Sequence, residues 1–299
     1  MRRIRVAHCL DTFETGGTEL NAVRTVERLD RDQFDVRFMS LSARGPLAER
    51  VRSAQIPIST FAVGSLASPR AVQTAARIAR WLRDEQIDIV HAHDVYSNIF
   101  VVPIARLAGV PVVLASRRWW STETARPIHA ALNRWSYRLA HRVIANSAAV
   151  AELLRTEEGV PDSKVIVVPN FADAAAFDAP PTSWRRQCYE EFGLADGDRI
   201  IVIVANLTPI KDHATAVRAI ARLVALHPRI RLVVAGEGSE RGPLSELATS
   251  LGVSTNLVLA GRRPSLPSLH WIAEISALSS RAEGFPNALV EAMAPPPEP

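Results

Sequence analysis

Two glutamates, Glu283 and Glu291, stand either side of the turn Gly284-Phe285-Pro286 near the end of a 299-residue chain. Proline lacks an N–H and is tolerated at the first position of a helix. A helix opening at Pro286 would therefore turn the amides of Asn287 and Ala288 outward, where they can bind an anion. Asn287 and Glu291 are then one turn apart and share a face, while Glu283 stays in the loop and can reach a group on the far side of that anion. The arrangement fits a nucleoside-diphosphate sugar, with the diphosphate at the helix end, ribose hydroxyls on Glu291 and the sugar near Glu283.

With Ser279-Ser280 ahead of it and Glu291-Ala-Met-Ala294 closing it, this stretch resembles the Glu-x7-Glu motif of retaining glycosyltransferases of family 4. The resemblance implies the GT-B fold: an α/β architecture of two Rossmann-like βαβ domains whose parallel sheets face a cleft. Further segments match in turn. Asp11-Thr-Phe-Glu-Thr-Gly-Gly-Thr-Glu19 is similar to the family's Gly-Gly-x-Glu loop, in which Gly16 and Gly17 let the backbone approach a ligand at a helix start. Asp88-Ile-Val-His-Ala-His-Asp94 resembles the strand ending in His-x-His. That places His93 against the acceptor or donor sugar and His91 facing the sheet.

Ala205-Asn-Leu-Thr-Pro-Ile-Lys-Asp212 is similar to the family's Gly-Arg-x-x-x-x-Lys-Gly segment. Lys211 falls on the lysine that meets the diphosphate, where a cation stabilises the charge that grows as the leaving group departs. Asn206 stands where the family has an arginine. Leu259-Ala-Gly-Arg-Arg-Pro264 matches the turn whose backbone holds the nucleobase, which brings in Arg263. The resemblance thus implies catalytic roles for Lys211, Glu283 and His93, and donor binding by Gly16, Gly17, Asn206, Arg263, Phe285, Pro286, Asn287 and Glu291.

The elements that must carry these loops read as an open parallel sheet followed by a second one. Apolar runs at Ile4–Leu10, Phe34–Leu41, Ile56–Phe61, Ile87–His91, Val112–Ala115, Val143–Ala145 and Val165–Val168 alternate with helical segments such as Pro69–Glu85 and Pro127–Ala140. After an Ala/Pro-rich stretch, strands at Ile200–Ala205, Leu232–Ala235, Leu257–Ala260 and Ile275–Leu278 alternate with helices near Asp212–Leu226 and Glu240–Leu251. The alternation predicts two βα domains, 1–172 for the acceptor and 173–299 for the nucleotide sugar, with a hinge at 170–185. In such sheets ligands lie beyond the carboxyl ends of the strands, where the loops quoted above fall.

Composition agrees with a soluble globular chain: 47% hydrophobic, 22% charged and only two cysteines, Cys9 and Cys188, which points to a reducing cytoplasm. No secretory leader is expected, and the longest apolar region, Ile99 to Ala115, is interrupted by Pro103, Arg106 and Pro111. The absence of Gly-x-Gly-x-x-Gly argues against a nicotinamide-dependent dehydrogenase. No metal site is expected: Asp30-Arg31-Asp32 has a cation-binding form but links a helix to a strand, and the resemblance implies a diphosphate clamp without metal.

Net charge is +4, concentrated between Arg117 and Arg142. There Arg117, Arg118, Arg126, Arg134, Arg138 and Arg142 face one Glu123 and interleave with Trp119, Trp120 and Trp135. This suits an anionic membrane surface, with Arg117, Arg118, Trp119, Trp120 and Arg126 as the lipid or acceptor contacts. No nucleic-acid motif accompanies the charge. Past Ala294 the family continues into further α/β units, whereas this chain reads Pro295-Pro-Pro-Glu-Pro299, so the second domain is expected to be incomplete. The expected function is transfer of a sugar from a nucleotide-diphosphate donor to a saccharide or lipid-linked acceptor at the inner membrane face. A nucleotide-sugar-binding remnant without turnover, and a sugar-nucleotide epimerase, remain open.

Overall fold

The structure, a computed structural model, describes residues 2–64, 68–119, 127–172, 177–178, 180–181, 183–263 and 267–293. Trp120, Arg126 and Pro264 lie outside them. The chain divides into two compact units, Met1–Asn170 and Phe171–Pro299.

The first unit is a seven-stranded, all-parallel sheet in the order β3-β2-β1-β4-β5-β6-β7, formed by β1 (Ile4–Leu10), β2 (Phe34–Ser40), β3 (Ile58–Thr60), β4 (Ile89–Ala92), β5 (Val112–Arg117), β6 (Arg142–Ala145) and β7 (Val165–Val167). Helices cover both faces, as an all-parallel sheet requires. α1 (Gly17–Arg28) and α2 (Leu47–Ser53) pack on one face around Phe13, Val23, Val26 and Phe38. α3 (Pro69–Asp84), α4 (Val95–Leu107), α5 (Pro127–Leu139) and α6 (Ala148–Thr156) close the other around Ile78, Leu82, Val101, Tyr137 and Leu154. The winding reverses between β1 and β4, so the loops leaving these two neighbours diverge and open a crevice.

The strand positions follow the apolar runs, and the boundary that matters is at β5. It extends through Ser116 and Arg117, two residues past the run read from the sequence. Arg117 is therefore a sheet residue, and side chains alternate about the sheet plane up to and past it.

The second unit has β8 (Arg199–Val204), β9 (Ile230–Ala235), β10 (Leu257–Gly261) and β11 (Ile275–Ser276) in the order β10-β9-β8-β11, again all parallel. α7 (Ser183–Phe192) packs on one face with Ile200, Val202 and Val233. α8 (His213–Leu223) and α9 (Arg241–Ser250) pack on the other with Ile203, Leu232 and Val234. The last helix, α10 (Asn287–Ala292), is short. Here the winding reverses between β8 and β11, and the loops that follow these strands carry Lys211 and Glu283.

Candidate active site

In the second unit the structure brings Lys211 and Glu283 together from loops far apart in sequence. Lys211 ends a single 3₁₀ turn, Pro209–Lys211, and Asp212 leaves it in the left-handed region at φ 44°. Lys211 Nζ lies 2.5 Å from Glu283 Oε1, each side chain 24% exposed. Ser280 Oγ donates to the same carboxylate oxygen at 2.6 Å. Ser279 Oγ donates to the Lys211 carbonyl at 3.1 Å, and the Arg281 amide to the Ile210 carbonyl at 2.9 Å. Arg281 Nε also meets Asp212 Oδ2 at 3.2 Å. The Ser279-Ser280 pair singled out in the sequence thus laces the two loops and fixes the carboxylate against the ammonium.

The neighbouring glycine loop supports this geometry by close approach. A Cβ on Gly236 would lie 2.0 Å from the Ala205 carbonyl oxygen, and one on Gly238 2.2 Å from that of Leu207. Only glycine lets the loop after β9 lie against the segment that holds Asn206 and leads to Lys211.

Glu291 is buried at 6% exposure on α10, one turn from Asn287, as the spacing requires. Two details differ from the sequence reading. Pro286 caps the helix from outside instead of opening it, with ψ at 74°. The Asn287 amide donates to the Phe285 carbonyl at 3.0 Å, so it is turned into the Gly284-Phe285-Pro286 bend and not toward an anion. Arg263 is held by α7: its guanidinium pairs with Glu191 and lies 5.0 Å from the centre of the Phe192 ring. What this turn can offer a base is backbone.

In the first unit, His93 follows β4 directly and is fully buried. The expectation that His91 and His93 face different ways is overturned, since both are buried and their rings meet. Their rings are 3.9 Å apart. His91 Nε2 is 2.8 Å from Ser116 Oγ, and His93 Nε2 is 2.8 Å from Nδ1 of His8, whose β1 residue pairs with His91 across the sheet. Burial depresses all three histidines: His8 to about 3, with Arg118 and Arg31 adding to it, and His91 and His93 well below the ordinary value, with the neighbouring rings and Arg118 adding to it. Nothing in the sequence reading marked His8; a histidine inside the apolar strand Ile4–Leu10 was its available sign.

Gly16 caps α1, and a Cβ there would lie 2.2 Å from Glu19 Oε2. Glycine therefore lets Glu19 fold back over the helix start, whose first residue is Gly17. Burial, then Asp94 and Asp11, raises Glu19 to about 7 against its own amide and Arg118. Asp94 caps α4 and accepts from the amides of Ser97 at 2.9 Å and Asp11 at 2.8 Å, and burial raises it to about 6.

The lipid contacts expected at Arg117 and Arg118 are corrected. Because β5 carries Arg117 into the sheet, its side chain is buried, and Arg118, one residue beyond the strand, is half-buried. Arg117 is 3% exposed, pairs with buried Glu158 at 3.0 Å and lies 4.4 Å from the Trp119 ring centre. Trp119 is thus a half-buried partner of Arg117. Arg118 bonds Asn21, Asn170 and His93. Arg142, the last arginine of the cluster, belongs to β6.

The nitrogens of His8, His91 and His93 lie within 4.8 Å of one another, a set that could hold a cation. A guanidinium only donates, so His93 Nδ1 accepts from Arg118 and the ring proton sits on Nε2. That nitrogen has no lone pair to give a metal while the contact stands.

Two all-parallel α/β units, each with polar groups gathered where its sheet reverses, make the GT-B fold, and solved structures share it. The fold matches Anabaena Alr3699/HepE, crystallised with UDP and glucose, with a TM-score of 0.85 at 20% identity over 98% of this chain and 78% of that one. Residues 15–176 match the model of Glycosyltransferase Family 4 and residues 186–295 that of Glycosyl transferases group 1, so the chain belongs to glycosyltransferase family 4. It is 24% identical over 302 residues to the UDP-Gal:alpha-D-GlcNAc-diphosphoundecaprenol alpha-1,3-galactosyltransferase of Escherichia coli, covering 97% of this chain and 77% of the relative. It is 30% identical over 230 residues to the D-inositol 3-phosphate glycosyltransferase of Nocardiopsis dassonvillei, covering 70% and 53%.

Proposed function

We propose that this glycosyltransferase is retaining and metal-independent, and that it moves a sugar from a nucleoside-diphosphate donor to a saccharide or lipid-linked acceptor at an anionic membrane face. The observation that carries the reading is the Lys211–Glu283 pair, held at 2.5 Å between the loops that follow two adjacent strands. An ammonium there can neutralise the departing diphosphate, and a carboxylate beside it can accept hydroxyls of the transferred sugar. Buried Glu291, behind the same loop, is suited to ribose hydroxyls. Arg281, next to the pair, stands where it can supplement the cation that Asn206 does not provide. The UDP and glucose of the Anabaena structure and the lipid-linked substrate named for the Escherichia coli relative point the same way.

For the membrane, the surface moves from Arg117–Arg126 to α5. Ile128, Leu132 and Trp135, spaced by four and three residues, are 62%, 36% and 46% exposed along one face, while Asn133, Ser136 and Tyr137 are buried on the other. Arg134 and Arg138 border the apolar stripe and are exposed. Apolar side chains flanked by arginines are what an interface of anionic headgroups and acyl chains binds. No helix among the described residues is long and apolar enough to cross a membrane.

The test begins with a panel of nucleotide sugars scored by melting temperature, because a ligand bound only by the folded state stabilises it. The stabilising donor is then incubated with acceptors and EDTA. Product with the donor's anomeric configuration, at a rate unchanged by EDTA, is expected. An inverted product or a rate abolished by EDTA overturns the corresponding part; interconversion of the donor without acceptor identifies an epimerase, and binding without turnover a remnant.

A further inference from the structure

Arg118, one residue beyond β5, reaches α1, the end of β4, the segment after β6 and Asn170 at the carboxyl end of the first sheet. Its Nη2 is 3.2 Å from His93 Nδ1, after β4. Its Nη1 donates to Asn21 Oδ1 of α1 at 2.5 Å and to Asn170 Oδ1 at 3.0 Å, and its carbonyl accepts from Asn146 Nδ2, after β6, at 3.0 Å. Its Nε is enclosed.

The contacts dictate a proton order. Arginine has no lone pair to offer, so His93 Nδ1 is the acceptor and His93 carries its proton on Nε2. That proton points at His8 Nδ1, 2.8 Å away, which must accept, so His8 carries its own proton on Nε2. One guanidinium thereby sets the tautomers of two buried rings on different strands. His91, bonded to Ser116, stands outside the chain.

We propose that Arg118 is a positioning residue of the sugar-transfer site: it pins α1, the end of β4 and Asn170 into one arrangement and orders the protons of His93 and His8. The proposal rests on the reading of the first unit as half of a glycosyl-transfer site. It assigns Arg118 no contact with substrate. Its work is done through the rim, where the Gly16-Gly17 loop lies and the buried His93 backs the end of β4. The charged and titratable groups around His93 are His8 on β1, His91 on β4, Arg118, and, at the crevice edge, Glu19, Asp94 and Asp11. Burial is the main cause that keeps a proton off His93, followed by His91 and then Arg118. Arg118, though lowered to about 10 by its burial, is charged at neutral pH.

The experiment has one arm that needs no variant. In the protein labelled with ¹⁵N at histidine, long-range spectra report which nitrogen of each ring bears hydrogen, and His93→Gln assigns the His93 signals. Nε2–H for His93 with no titration down to pH 5 is expected; Nδ1–H, or a His93 that titrates normally near 6.5, overturns the proposal. The second arm compares Arg118→Met, which keeps length but removes donor and charge, with Arg118→Lys, which keeps the charge and one donor. In Arg118→Met the His93 titration should move up by about one unit, and kcat should fall about a hundredfold with donor KM little changed, as expected for a misplaced rim. Arg118→Lys should recover part of both. A lower melting temperature with parental tautomer and kcat means a merely structural arginine and overturns it. Should the protein show no transfer at all, the Proposed function fails while the spectra still decide on Arg118.

Discussion

Removing the negative charge from Glu283 should make the second unit bind a nucleoside diphosphate more tightly. In the unliganded site Lys211 is engaged: its ammonium sits 2.5 Å from the Glu283 carboxylate, and both side chains are three-quarters enclosed at 24% exposure. Two unit charges at that separation attract by about 7 kcal/mol at an effective dielectric of about 20. Desolvation cancels most of this, and a charge-assisted hydrogen bond nets about 1.5 kcal/mol. A diphosphate must compete for the same ammonium, and it also approaches a carboxylate of its own sign. In Glu283→Gln the amide oxygen still accepts from Ser280 Oγ, so the loop keeps its shape while the competitor becomes neutral. Affinity should rise by roughly tenfold, the equivalent of about 1.4 kcal/mol, whereas sugar transfer should collapse because the carboxylate is missing from the sugar's side.

Titration calorimetry with UDP, GDP and ADP reads the first effect and product assays the second. The control is a double-mutant cycle: Lys211→Ala should weaken binding, and adding Glu283→Gln to it should strengthen binding by less than in the parent, since only the repulsion is then relieved and no ammonium is released. Unchanged or weaker diphosphate binding in Glu283→Gln would falsify the competition. An equal gain in the Lys211→Ala background would show that the carboxylate acts on the ligand by repulsion alone.

Other expectations are more local. Arg117→Ser leaves Glu158 buried without its partner and should cost the first unit about 3–5 kcal/mol in urea unfolding, whereas Arg117→Met with Glu158→Leu should cost much less; equal losses would sink the buried-pair reading. Vesicles of anionic lipid should bind the protein in a salt-sensitive way through α5, so that Leu132→Ser with Trp135→Ser releases it while stability hardly changes; retained binding rejects that surface. Glu19 has its folded pKa raised from 4.5 to about 7, so it contributes stability that is present below pH 4.5 and lost as pH rises through 7. Glu19→Gln should therefore gain on the parent across that window, by at most about 3 kcal/mol at 1.4 kcal/mol per unit, and a pH-independent difference in urea midpoint would contradict the buried carboxylate.

How much of this was legible in the sequence depends on the kind of interaction. The strands were readable because an all-parallel sheet buries both faces, so runs such as Ile4–Leu10 and Ile200–Ala205 are apolar almost without interruption. Lys211 and Glu283 were readable because loop motifs carry fixed spacings, and the Ser279-Ser280 pair turned out to be the lacing between them. Arg117 and Arg118 were misassigned for a physical reason. Composition cannot tell a solvated arginine cluster from two arginines at the end of a strand, and a two-residue error in the end of β5 decides between them. Glu158, Asn21 and Asn170, which neutralise or bond those arginines, are distant in sequence, and nothing local marks them. The amide geometry at Pro286 was missed because ψ there is set by packing of the bend, which spacing does not report.

Both units gather their polar chemistry where the winding of the sheet reverses, between β1 and β4 in one and between β8 and β11 in the other, yet they hold it in opposite ways. The Lys211–Glu283 pair is partly solvated and each partner can be exchanged for a ligand group, so its energetics belong to binding. The His8–His93–Arg118 chain is largely buried, its two contacts fix one order of donor and acceptor, and burial keeps the rings from protonating. Such a group cannot trade partners with a ligand without leaving a buried donor unpaired, which costs about 1–3 kcal/mol. Substitutions around Lys211 should consequently appear as changes in diphosphate affinity together with turnover, at constant pH dependence. Substitutions around Arg118 should appear as changes in turnover and in its pH profile at nearly constant donor affinity. A variant of Arg118 that altered only donor affinity, or one of Lys211 that altered only the pH profile, would mean that the two crevices divide the work differently from what their enclosure implies.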